Sequence, residues 1–164
     1  MARSKFLQQS DRDIPFILLA EDDDNDAFAM ELAFQKAGLG RRVWRVCNGA
    51  EAIDYMCGHR EYQDRTEYPP PSLLLVDLKM PGYDGFDLLR WVRSDPQWKN
   101  LVAVVLSNSR SPGDVEKAYG LGANSFLVKP AEFLGIADML KLLERYWSMN
   151  QALPLPRRSK QSWI

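Results

Sequence analysis

The sequence predicts a doubly wound α/β fold, one five-stranded parallel sheet with helices on both faces. Three observations carry this. Five short, near-continuous apolar runs alternate with five segments of helical periodicity across 164 residues. Continuous rather than alternating apolar runs mark strands buried on both faces, as parallel strands between helices must be. Several runs end abruptly in acidic, hydroxyl or lysine residues, and the carboxyl ends of parallel strands share one edge, where ligands bind.

Residues 1–13 are polar and read as a loose extension. Residues 14–20 (IPFILLA) form the first strand, cut off by Glu21-Asp22-Asp23-Asp24. Residues 25–37 read as a helix, because Phe28/Leu32, Ala29/Ala33/Ala37 and Met30/Phe34 recur at helical spacing and Gly38 stops it. The second strand is 43–47, and 50–57 is a helix with Ile53 and Met56/Cys57 inward. A polar loop, 59–71, closes on three prolines. The third strand is 72–77 (SLLLVD), followed by a helix at 85–93 that turns Phe86, Leu89 and Val92 or Trp91 inward. Residues 101–107 (LVAVVLS) make the fourth strand; Ser111 and Pro112 suit the N-cap and first position of a helix at 113–120. The fifth strand is 125–128, and 133–147 is a closing helix with Ile136, Leu140, Leu143 and Trp147 as its stripe. Such alternation demands a parallel sheet covered on both faces, joined by right-handed crossovers. The expected layout is an extension (1–13), one domain (14–147) and a tail (148–164), too short for an output domain.

Composition removes several function classes. The net charge is −1, so no global basic field draws nucleic acid or membrane. No apolar run approaches the roughly 18 residues of a membrane span. The N-terminus lacks the apolar core of a secretory signal. Cys47 and Cys57 give neither a disulfide framework nor metal-ligand spacing, which suits a reducing cytoplasm. There is no internal repeat.

The chemistry lies at the strand ends. The first strand ends at Glu21-Asp22, the third at Asp77 and the fourth at Ser107; the fifth runs into Lys129-Pro130. The fold brings these together. Two carboxylates at about 4 Å repel by roughly 4 kcal/mol at an effective dielectric near 20. A divalent cation removes that cost, and an all-oxygen donor set without His or Cys selects a hard ion, Mg²⁺. Ser107 adds a hydroxyl and Lys129 a fixed positive charge. Metal, ammonium and hydroxyl can neutralise and orient an incoming phosphoryl group, so that a carboxylate attacks phosphorus and Asp77 becomes an acyl phosphate. Each residue alone has a plainer reading: a solvated acidic face or helix N-terminus, a turn hydroxyl, a cap, a loop lysine. Their joint occurrence at the ends of the correct strands, in order, decides for chemistry. Lys129-Pro130 is expected to be cis, because X–Pro bonds make cis cheap, at about 0.5–1 kcal/mol, and a cis bond would turn Lys129 over the pocket.

These segments resemble the receiver domains of bacterial two-component systems. ILLAEDD resembles that family's first strand and acidic pair, LLLVDLKMPGYDG its phospho-acceptor segment, and VVLSNS and NSFLVKP its hydroxyl and lysine segments. The resemblance implies a flavodoxin-like (βα)5 fold with strand order 2-1-3-4-5. It implies Asp77 as phospho-acceptor, and Asp22, Asp77 and the Lys79 backbone carbonyl as Mg²⁺ ligands. Glu21 would act through a bound water, and Ser107 and Lys129 would contact the phosphoryl group. It also implies a sensor histidine kinase as donor, and a signalling switch that catalyses only its own phosphoryl transfer and dephosphorylation. Phe126 stands where a switch Tyr is frequent, leaving ring rotation with Ser107 as the switch. Asn108 is larger than the family's usual residue and would crowd the phosphoryl site. The Pro-rich loop and aromatic last helix look like single-domain regulators of the cyanobacterial phytochrome type.

Rival readings fit less well. A phosphohydrolase with an Asp nucleophile needs a second carboxylate two positions on, and Lys79 stands there. A degenerate receiver would have lost Asp77, Asp22 or Lys129. His59, the only histidine, lies in a polar loop and not on a helix as in phosphotransfer domains. Trp91, Trp98, Tyr146 and Trp147 read as packing, and Arg157, Arg158 and Lys160 as a solvated tail. Residues 126–147 carry Phe133, Met139, Tyr146 and Trp147, more large apolar side chains than one inward stripe uses. A homodimer through the fifth strand and last helix is therefore expected, without DNA or membrane as partner.

Overall fold

In the computed structural model, residues 16–149 are described. The predicted extension 1–13 and the tail with Arg157, Arg158 and Lys160 lie outside them. The apolar runs become β1 (Ile17–Ala20), β2 (Val43–Val46), β3 (Leu73–Val76), β4 (Val102–Ser107) and β5 (Ser125–Val128). Between them lie α1 (Asp24–Lys36), α2 (Gly49–Cys57), α3 (Gly85–Ser94) and α4 (Pro112–Gly120), and α5 (Phe133–Ser148) closes the fold. The strands are all parallel, in the order β2-β1-β3-β4-β5. The flavodoxin-like order implied by the resemblance is thus present.

Alternate strand residues feed two separate cores, which is why the runs are continuously apolar. Leu18, Ala20, Leu74, Val76, Ala103 and Val105 face Tyr55, Leu88, Leu89 and Val92 of α2 and α3. Ile17, Leu19, Leu73, Leu75, Val104 and Leu106 face Met30, Phe34, Ile136 and Leu140 of α1 and α5. Caps set the helix starts. Asp23 accepts hydrogen bonds from the Asn25 and Asp26 amides, Asn48 from Glu51, and Asp84 from Asp87. These caps begin α1 and α2 one residue earlier than the periodicity implied.

Some inward assignments change. Phe28 is exposed, and Ala27, Met30, Ala33 and Phe34 bury the inner face of α1. Within the polar loop a single 3₁₀ turn forms at Arg60–Gln63. Its Tyr62 packs with Trp44, Tyr55 and Tyr68 at ring separations of 5.0–6.5 Å. The Tyr62 hydroxyl donates to Glu51 at 2.7 Å, so the loop is tied to α2.

Candidate functional site

The sheet continues its backbone ladder one residue past the strands and thereby fixes the site. The Glu21 amide donates to Val46, the Asp77 amide to Ala20 and the Lys129 amide to Ser107, each at 2.9 Å. Glu21, Asp77, Ser107 and Lys129 are accordingly the buried polar residues among those described. Carboxylate oxygens of Glu21, Asp22 and Asp77 all lie within 4.8 Å of one another. Three hard oxygen donors at that spacing fit a divalent cation of the Mg²⁺ type. Lys79 is exposed, and its amide lies 3.3 Å from Asp77 Oδ1.

Lys129 Nζ binds three carboxylates, Glu21 at 2.5 Å, Asp26 at 2.8 Å and Asp77 at 3.2 Å. Burial pulls the ammonium's pKa down, but the hydrogen bonds it donates to Asp26 and Glu21 and the fields of Glu21 and Asp77 outweigh it and hold it above its ordinary value. Burial pushes Glu21 up, and its hydrogen bond with Lys129 offsets only part of that.

Two residues that sequence reasoning missed complete the arrangement. Asp26 lies past the acidic run, on the first turn of α1, and a carboxylate four residues after Asp22 is the available signal. Arg45, on β2, donates to the Glu21 and Asp22 carbonyls at 2.9 and 3.1 Å and pairs with Asp24 at 2.8 Å, pinning the acidic loop. Its signal was weak, because an arginine on an edge strand usually faces water.

Ser107 Oγ accepts from the Ser109 amide at 3.1 Å, and Ser109 Oγ donates to Asp114 on α4 at 2.5 Å. Phe126 is half-buried, and its amide donates to the Tyr119 hydroxyl at 3.2 Å. Asn108 is exposed and its amide group donates to Asp26 at 3.3 Å. Its side chain thus has a place on α1. His59 pairs with Asp54 at 3.6 Å in the polar loop.

One expectation fails. No cis peptide occurs among the described residues, so Lys129–Pro130 is trans. Lys129 Nζ reaches all three carboxylates without the cis turn, so the pocket does not require it.

Comparison with known proteins gives the family and the fold. The family model for the response regulator receiver domain matches residues 17–141. Response regulator RPA3017, in red light signaling of R. palustris, is 35% identical, with a TM-score of 0.78, covering 88% of this chain and 99% of that one. The phosphorylated cyanobacterial phytochrome response regulator RcpA is 31% identical, with a TM-score of 0.75, over 84% of this chain and 96% of its own. Response regulator Rcp1 of Synechocystis is 28% identical over 138 residues, 84% of this chain and 92% of Rcp1. The Mn²⁺-bound structure of Rcp1 gives a TM-score of 0.72 at 27% identity, over 86% of this chain and 98% of that one.

Proposed function

The chain belongs to the response regulator receiver family of two-component signalling, and from that premise we propose that Asp77 is its phospho-acceptor and Mg²⁺ its metal. The observation that carries the assignment is Lys129, buried and shared by Glu21 and Asp77 beside the Glu21–Asp22–Asp77 oxygen cluster.

The donor is a phosphohistidine of a sensor histidine kinase. A carboxylate oxygen of Asp77 attacks phosphorus, the P–N bond breaks, and the imidazole leaves as the new P–O bond forms. Glu21, Asp22, Asp77 and the Lys79 backbone carbonyl would hold Mg²⁺, which supplies charge neutralisation to the phosphoryl oxygens. Lys129 supplies a second, fixed charge, and the Ser107 hydroxyl donates to the phosphoryl group. The same residues then let water hydrolyse the acyl phosphate. The chain catalyses only this transfer and the hydrolysis that releases inorganic phosphate and restores the Asp77 carboxylate, so it is a switch. Ser107 and Phe126 carry the change outward.

Residues 14–147 make up the functional unit. The likeness to a cyanobacterial phytochrome regulator and to one in red light signaling supports a phytochrome-type kinase as donor. The output is protein docking, with a second copy on the β5–α5 face, and not DNA. Among the described residues no helix is long and apolar enough to cross a membrane.

The test is acetyl phosphate with Mg²⁺, read by intact mass. Wild type should gain one phosphate, and Asp77→Asn none. Undiminished labelling of Asp77→Asn, or labelling that persists in EDTA, would overturn the assignment.

A further inference from the structure

In this fold the lysine at the end of β5 is expected to serve the phosphoryl group, yet here it leans away from the acceptor. Its Nζ is 3.2 Å from Asp77 but 2.8 Å from Asp26, on the first turn of α1. The same Asp26 oxygen, Oδ2, also accepts from the Asn108 side chain at 3.3 Å. Asn108 directly follows Ser107. One carboxylate therefore grips both the cation that the phosphoryl group needs and the loop that follows the phosphoryl-binding hydroxyl. Asp26 is not part of the metal-type cluster, which consists of Glu21, Asp22 and Asp77.

We infer that Asp26 is a positioning residue of the phosphoryl-transfer step: it holds Lys129 and Asn108 in the unphosphorylated chain and is the ligand that an incoming phosphoryl group must displace. This rests on the acceptor assignment above and adds a competitor to it. A phosphoryl group on Asp77 brings oxygens that accept from Lys129. The ammonium has three donors, and Glu21, Asp26 and Asp77 already occupy it. Glu21 is fully buried beside it at 2.5 Å, whereas the Asp26 side chain is 34% exposed. The exposed partner gives way more readily, because water replaces what it loses. Exchange at Lys129 also frees Asn108, so the β4–α4 loop is released by the event that fills the site. Asp26 adds a negative charge against a dianionic donor as well, and neutralising it lowers that barrier.

The test compares wild type, Asp26→Asn and Asp26→Glu in phosphorylation by acetyl phosphate at fixed Mg²⁺, with the Mg²⁺ affinity of each measured separately by calorimetry. Asp26→Asn should lower the KM for acetyl phosphate by about three- to ten-fold, an effect that shrinks at high salt because part of it is charge. Its saturating rate should change less than the KM does, a split between KM and rate that a merely structural loss would not produce. Mg²⁺ affinity should likewise stay within about two-fold, as Asp26 lies outside the metal-type cluster. Asp26→Glu keeps the charge and should restore the wild-type KM. If Asp26→Asn does not fold, Asp26→Ser carries the same comparison. An unchanged or raised KM in the neutral variant, or Asp26→Glu behaving like Asp26→Asn, would overturn the inference while leaving Asp77 as acceptor. A wild-type chain that takes no label would overturn both.

Discussion

Removing the Lys129 ammonium would leave Glu21 and Asp77 buried without a counter-charge. Lys129→Met is therefore expected to cost about 3–5 kcal/mol by urea unfolding near neutral pH in EDTA. Mg²⁺ should recover part of the loss, because it replaces the missing positive charge. The pH dependence follows from the two shifts. Glu21 has its folded pKa raised above 4.5, so its contribution is present below 4.5 and lost as pH rises through the folded value. Without Lys129 that folded value rises further, so the gap between variant and wild type should widen with pH above 4.5. Lys129 is itself raised above 10.5, so its contribution is intact below 10.5 and fades as pH climbs toward the folded value. A gap that stayed constant from acid to neutral pH would refute this charge balance. Glu21, Asp77, Ser107 and Lys129 were legible in the sequence because each stands at a strand end, and topology alone brings strand ends together. Asp26 and Arg45 were not, because their roles depend on which way a helix turn and an edge strand face.

At the scale of elements, the exit of β3 and the start of α3 are fitted together through Gly85. A Cβ there would collide with the Asp77 carbonyl and come within 2.7 Å of Leu78 Cα, both of them backbone. Gly85→Ala should cost about 1–3 kcal/mol and slow phosphorylation, since the shift is delivered to the peptide of Asp77, the proposed acceptor. Gly113, in the first turn of α4, meets only Ser111 Oγ at 3.7 Å. Gly113→Ala should be neutral or gain up to about 1 kcal/mol from helix propensity. The thermal melt should therefore fall for Gly85→Ala and hold or rise for Gly113→Ala, and equal losses would contradict the packing described here. Strand identity was readable from the apolar runs, since parallel strands bury both faces. The aromatic cluster of Trp44, Tyr55, Tyr62 and Tyr68 was not, because it joins a strand, a helix and a loop that share no period.

Across the whole molecule, two helices cover one face of the sheet and three the other, and α5 carries apolar side chains that neither core uses. The sequence named Phe133 and Met139 as surplus. Both are instead half-buried against the α1–α5 core, with Lys36 Nζ 4.8 Å from the Phe133 ring centroid. The Trp147 side chain lies outside those described. The surplus consists of Leu134, Leu142 and Tyr146, at 69%, 68% and 57% exposure. Their spacing of eight and four residues sets them on one outward stripe of α5. Leucines this exposed on one helix face mark a contact surface more than scattered apolar residues would. A stable contact needs roughly 1,000 Å² of buried surface, more than three side chains supply. The proposed dimer would therefore also need the neighbouring β5–α4 surface, where Tyr119 is 49% exposed. That surface is joined to the site, because the Tyr119 hydroxyl accepts from Phe126 and Ser109 ties Ser107 to Asp114 on α4. Self-association should therefore strengthen when a phosphoryl mimic fills the site. Complete reversal of such an equilibrium needs roughly 5.5 kcal/mol of differential binding, so a partial shift is the expected result. Light scattering should show a concentration-dependent dimer, favoured by beryllium fluoride with Mg²⁺. Leu142→Glu should return the chain to monomer, since it buries a charge in the contact, without impairing label uptake at Asp77. A wild-type chain that remains monomeric at high concentration, with and without the mimic, would defeat the dimer.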